Sequence, residues 1–147
     1  MNDSVRIQPV STIPEAELEA LYTSVGWSAY TKDPEALATA VANSTYIVEA
    51  RDGEKLIGIA RGLSDDVSIF YLQDILVEPA WQRQGVGRAL IASCLERFGH
   101  VRQMVLLTDD LPAQHRFYRT MGFQDTRRIS SPELHAFVRI EGLDLQP

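Results

Sequence analysis

The segment Gln82-Arg83-Gln84-Gly85-Val86-Gly87-Arg88-Ala89 carries the clearest chemical signal, because a glycine turn here joins an apolar strand to an amphipathic helix. Gly85 and Gly87 let the backbone turn tightly and come close to a ligand. The first turn of the helix leaves amide N–H groups without intrahelical partners, and the helix dipole adds partial positive charge at the same end. A phosphate or pyrophosphate fits such a cradle mostly through main chain, with Gln82, Arg83 and Arg88 near the rim. Just upstream, Asp74 interrupts the apolar run Tyr71-Leu-Gln-Asp-Ile75-Leu76-Val77. A carboxylate in such a strand is costly unless it is paired, hydrated or working, so Asp74 is a candidate general base, with a structural aspartate as the competing reading.

These residues need a scaffold, and 147 residues suffice for one domain, 1–147, with a real hydrophobic core. A formal net charge of −6 argues against broad nucleic-acid affinity, which depends on clustered lysine and arginine, and suits a cationic or amine substrate better. No apolar run approaches the ~20 residues that cross a bilayer, and the start Met-Asn-Asp-Ser-Val-Arg lacks a secretory pattern. A soluble, cytoplasmic protein without membrane partners is expected. Cys94, the only cysteine, falls on the apolar side of the helix after the glycine turn and reads as core. The scattered His100, His115 and His135 give no metal-site spacing.

The periodicity then orders the elements. Val5 to Val10 alternates as a strand, and Leu18, Leu21 and Tyr22 share one helical face after Pro14. Asp33-Pro34 starts a second helix through Leu37, Ala38 and Val41. Between the two, Gly26-Trp27-Ser28-Ala29-Tyr30 reads as a loop with two exposed aromatics. Two β-rich runs joined at Asp52-Gly53 predict an antiparallel hairpin, and the run from Val67 to Val77 a third meander strand. A helix from about Gly85 to Phe98 follows. Then come a central strand over Gln103 to Thr108, a helix over Pro112 to Met121, and strands from Phe123 and over Leu134 to Ile140.

Two motifs give this order a family likeness. Gln82-x-x-Gly85-x-Gly87 matches the Gln/Arg-x-x-Gly-x-Gly/Ala signature of the GCN5-related N-acetyltransferase (GNAT) superfamily, and Phe117-Tyr118-Arg119-Thr120-Met121-Gly122-Phe123 resembles its Phe-Tyr-x-x-x-Gly-Phe segment. The resemblance implies an α/β (α+β) GNAT fold, β-α-α-β-β-β-α-β-α-β-β. Its mixed, mostly antiparallel central sheet would have six to seven strands flanked by about four helices. It also implies an acetyl-CoA-dependent N-acetyltransferase that joins an acetyl group to a primary amine by direct attack in a ternary complex.

By the same resemblance, coenzyme A contacts the main chain of Ile75, Leu76 and Val77, the turn Gln82, Arg83, Gln84, Gly85, Val86, Gly87, Arg88 and Ala89, and Gln114, Phe117 and Tyr118. Tyr118 holds the position from which the family protonates the departing sulfur, and a phenol with pKa near 10 suits a thiol leaving group. Neutralising a lysine-type ammonium at pH 7 costs roughly 4.6 kcal/mol, which a base such as Asp74 and a desolvated site must offset. Some histone-type members carry a glutamate base three residues before this position, where this chain has Tyr71. Trp27, Tyr30, Tyr71 and Asp109 are the expected substrate residues, Trp27 and Tyr30 through cation–π contact with an amine. Where the family often has an asparagine on the pantetheine arm, this chain has Asp109. Small amines and protein lysines both fit as acceptors, a homodimer through the C-terminal strands is compatible with the chain, and the alternative function is a non-catalytic acyl-CoA sensor on the same fold.

Overall fold

The computed structural model describes residues 2–146. The chain divides into two compact units, Met1–Leu107 and Thr108–Pro147. The first unit runs β1 (Val5–Val10), α1 (Glu15–Ser24), α2 (Ser28–Thr31), α3 (Pro34–Ala42), β2 (Tyr46–Asp52), β3 (Lys55–Ser64), β4 (Ile69–Val77), a 3-10 turn (Pro79–Trp81), α4 (Val86–Phe98) and β5 (Gln103–Leu106). The second holds α5 (Pro112–Thr120) and a 3-10 turn over Thr126–Arg128. Among the described residues no helix is long and apolar enough to cross a membrane.

Local chemistry accounts for most of these boundaries. Asp33 caps α3 by accepting from the Ala36 N–H at 3.1 Å, with Pro34 preset in the first turn. Gly53 turns the β2–β3 hairpin at φ 59°, where a side chain would be strained. The five strands lie in sequence order, antiparallel from β1 to β4, and β5 runs parallel to β4. One face of the sheet is covered by α1 and α3, where Leu18, Leu21, Tyr22, Leu37 and Val41 pack on Ile47, Leu56, Ile59 and Leu76. The opposite face takes α4, whose Phe98 stacks on Phe70 at 4.4 Å between ring centres and whose Val86 and Leu90 press against Gly58.

The β3–β4 ladder breaks register at one point: Arg61 pairs with Asp74, but Gly62 pairs with Leu72, so Gln73 is an extra residue in β4. A bulge of this kind reverses the in–out alternation of the strand. Phe70 accordingly faces α4, while Asp74, four positions on, faces α1 and bonds Tyr22. Without the extra residue the carboxylate would point toward the apolar side of α4.

The sheet has five strands rather than six or seven. The stretches from Phe123 and over Leu134 to Ile140 form no strand. Their apolar alternation is present, but strand preference is a preference for a paired, half-buried surface, and here Phe137 is 95% exposed, with Leu134, Val138 and Ile140 also exposed. For the same reason β5 closes the edge of the sheet instead of lying at its centre. The loop at Gly26 to Tyr30 contains the single turn α2, and its Trp27 and Tyr30 are half-buried rather than exposed.

Gly62 is required by contact. A Cβ at this position would lie 2.3 Å from Phe70 Cζ and 2.7 Å from the Tyr71 carbonyl oxygen. Gly62→Ala is expected to lower stability by about 1–3 kcal/mol through overpacking at the bulge, read as a reduced urea midpoint at unchanged slope. A wild-type midpoint would show that the β3–β4 contact relaxes freely.

Candidate active site

Asp74 is 2% exposed, and its carboxylate is enclosed by donors. Arg61 Nε donates to Oδ2 at 2.6 Å, Tyr22 Oη to Oδ2 at 2.8 Å and Tyr30 Oη to Oδ1 at 3.0 Å. Arg61 also reaches Ser44 Oγ at 3.3 Å, joining β3 to the end of α3. Every buried side-chain nitrogen and oxygen among the described residues has a hydrogen-bond partner, so the cluster is internally satisfied. Burial opposes the charge on Arg61, but Asp74 beside it leaves the guanidinium above its ordinary pKa. Burial and then the Asp74 charge push the Tyr22 and Tyr30 phenols up, so both remain O–H donors to the carboxylate.

Asp74 is therefore a structural partner in a buried ion pair before it is anything else. Three of the residues expected to meet substrate gather round it. Tyr30 bonds it directly, Trp27 stacks on Tyr30 at 6.0 Å and meets Tyr22 edge-on at 5.8 Å, and Tyr71 feels its charge after burial has already raised the phenol. Sequence reasoning passed over Arg61 and Gln73. An arginine in the apolar run Ile57-Gly-Ile-Ala-Arg61 is as anomalous as Asp74 in its own run, and pairing the two anomalies across the hairpin would have found it. Gln73, whose Nε2 donates to Tyr30 Oη at 3.1 Å, left no such signal because a bulge has no fixed residue type.

The anion cradle follows the C-terminal end of β4, past Val77. Arg83 at φ 63° and Gly85 at φ 88° are both left-handed, and Gly85 caps α4 with no side chain bonded to its end. The Ala89 N–H donates to the Gly85 carbonyl, and the amides of Val86 and Gly87, in the first turn ahead of it, have no intrahelical carbonyl to reach. This first turn holds no acidic residue, in contrast to α1 and α3. Two of the expected contacts have other tasks: Gln82 Nε2 donates to the Val77 carbonyl at 2.9 Å, tying the turn to the strand end, and Gln84 Nε2 donates to the Ala80 carbonyl at 3.2 Å. β4 pairs with β5 only over Ile69 to Leu72, before the bulge, so between the bulge and the turn the backbone of Ile75, Leu76 and Val77 has no strand partner on that side among the described residues. Leu76 and Val77 are buried and Ile75 half-buried.

The second unit carries the remaining expected residues. Tyr118 on α5 is half-buried, edge-on to Phe117 at 5.2 Å and to Phe123 at 6.1 Å. Burial raises its pKa, partly offset by a hydrogen bond with Thr108, and the phenol stays protonated. Gln114 is half-buried on the same helix. Asp109 is exposed, and its carbonyl accepts from the Leu111 N–H just before α5.

Removing one member of a buried ion pair strands the other. Arg61→Met or Asp74→Ala alone is expected to cost about 3–5 kcal/mol by chemical denaturation, and the double variant clearly less than the sum. Strictly additive losses would mean that the two side chains are not energetically coupled.

Residues 42–125 match the family model described as the acetyltransferase (GNAT) domain. The chain is 33% identical over 122 residues to the histone acetyltransferase TAP1 of Glycine max, an alignment that covers 74% of this chain and 51% of that protein. It thus spans about half the length of the curated relatives it matches first. A GNAT-family acetyltransferase from Streptococcus pneumoniae TIGR4 superposes with a TM-score of 0.81 at 29% identity, over 95% of this chain and 99% of that one. The aminoglycoside N-acetyltransferase AAC(6')-Iy, solved in complex with CoA, shares the fold with a TM-score of 0.69 at 18% identity, over 93% and 95% of the two chains. With the motif, the strand–turn–helix geometry and these likenesses in agreement, the chain belongs to the GNAT acetyltransferase family.

Proposed function

We propose that this protein is an acetyl-CoA-dependent N-acetyltransferase acting on a primary amine by direct attack. The observation that carries the reading is the left-handed turn at Arg83 and Gly85, which opens α4 with the amides of Val86 and Gly87 beside a length of β4 without a strand partner. The first feature suits a pyrophosphate, and the second suits an extended amide-bearing arm that adds to the sheet edge through main-chain hydrogen bonds. Bound there, acetyl-CoA supplies the activated acyl group.

The reaction forms a C–N bond to the acyl carbon and breaks its C–S bond, with one proton leaving the amine and one reaching the thiolate sulfur. Tyr118 is the proposed donor to sulfur, a role supported by its motif position and by a burial-raised pKa that keeps the proton on the phenol until it is needed. Asp74 is the carboxylate of the acceptor side. With Arg61, Tyr22 and Tyr30 already on its oxygens, it acts on the amine through a neighbour rather than by bare contact. Cys94 takes no part as an acyl carrier: it is buried, and burial pushes its thiol up to about 12.

The test is thiol release from acetyl-CoA with a panel of primary amines, comparing wild type with Tyr118→Phe. Amine-dependent release that falls at least tenfold in the variant, about 1.4 kcal/mol of barrier, is expected. Thermal stabilisation by acetyl-CoA with no release from any small amine or lysine peptide would point instead to an acyl-CoA sensor.

A further inference from the structure

We propose that Tyr30 Oη is the hydrogen-bond acceptor that holds the incoming amine, so that the acceptor side selects nitrogen bearing an N–H rather than positive charge alone. This inference rests on the transferase reading above and assigns the amine contact to a residue whose ring alone had been expected to serve. The three phenols around Asp74 are not equivalent. Tyr22 is wholly buried, and its hydroxyl ends on the carboxylate. Tyr71 has no hydrogen bond to that carboxylate among those seen, only its charge nearby. Tyr30 alone bonds the carboxylate while remaining half-exposed.

The direction of its hydrogen bonds follows from the partners. A carboxylate bonded by Arg61 can only accept, so the Tyr30 proton points to Asp74 Oδ1 at 3.0 Å. Gln73 Nε2 donates to the same phenol oxygen at 3.1 Å, from an exposed side chain on the bulge. A hydroxyl has two lone pairs, so one acceptor site on Oη remains, at the point where the buried network reaches the surface. With its only proton committed inward, Oη offers an outside ligand acceptance and nothing else. An ammonium or amine N–H fits that demand, while the stacked faces of Trp27 and Tyr30 suit the cationic form and its carbon chain. Asp74 is then the positioning residue: it fixes the Tyr30 hydroxyl and draws its proton away from the ligand. In turnover, the amine proton passes to Oη as the Tyr30 proton moves to Asp74; once the C–N bond has formed, Asp74 returns its proton to Tyr30 as Oη releases the amine's proton to solvent, from which Tyr118 regains the proton it gave to sulfur.

The test separates N–H donation from simple cation–π attraction. Calorimetric binding is measured, in the presence of desulfo-CoA, for phenethylamine, butylamine and Nα-acetyl-lysine amide, each against its trimethylammonium counterpart. The wild type is expected to bind at least one primary amine tenfold more tightly than its trimethylated form, and Tyr30→Phe to erase that preference while still binding desulfo-CoA. Tyr22→Phe, which removes a bond to the same carboxylate without facing the ligand, is expected to keep the preference. Equal binding of both members of every pair by the wild type, absence of binding included, overturns the proposal, and so does a preference that survives in Tyr30→Phe or disappears equally in Tyr22→Phe. Amine-dependent thiol release unchanged by Tyr30→Phe would sink this assignment and leave the transferase reading standing, whereas failure to bind desulfo-CoA would count against that reading itself.

Discussion

The ion pair between Arg61 and Asp74 governs how the rest of the first unit is arranged. Two opposite charges buried in the middle of a sheet are tolerated only when their remaining hydrogen-bonding capacity is filled, and that demand recruits Tyr22 from α1, Tyr30 from α2 and Ser44 from beyond α3. The helices on this face are thus held by a polar centre as well as by the apolar cluster around Leu18, Leu37 and Ile59. The bulge at Gln73 makes this geometry available, because it swings Asp74 from the α4 face to the α1 face. Gly62 admits the bulge by leaving room for Phe70.

The same strand serves a second purpose further along. Past Leu72, β4 has lost β5 as a partner, and at Val77 it enters a turn whose end is fixed by the Gln82 side chain. Gly58, with Leu90 and Leu76 within 3.2 Å of where a Cβ would stand, lets α4 lie close against β3 and so sets the start of that helix beside the free backbone. Polar anchoring at Asp74 and open main chain over Ile75 to Val77 divide the strand, in the proposed reading, between the acceptor and the activated donor. The division explains why Asp74, the only buried acid of this strand, is so thoroughly bonded: an unpaired carboxylate at this depth would cost more than a fold of this size can spare.

Much of this was legible in the residues. The glycine turn, the capped α3, the Asp52-Gly53 hairpin and the helical faces of Leu18, Leu21, Tyr22, Leu37 and Val41 all express local rules that hold regardless of tertiary context. The terminal strands were not, since Leu134 to Ile140 has the right alternation and no covering surface. At the site, the anomaly of Asp74 was visible, but its partner required a register. Register here depends on an inserted residue that shifts every later side chain to the opposite face. Gln82 and Gln84 show a further limit: their motif positions were readable, but not that their side-chain amides brace the turn by donating to the Val77 and Ala80 carbonyls.

In the proposed reading coenzyme A lies along the unpaired length of β4 with its pyrophosphate at the start of α4, and amide hydrogen exchange with and without the cofactor tests that placement most directly. The predicted result is slowed exchange at the amides of Ile75, Leu76 and Val77 where they face the ligand, and at Val86, Gly87 and Arg88, with little change in β1 or β2. Thermal stabilisation by acetyl-CoA with protection confined to other segments, or no protection anywhere, would contradict it.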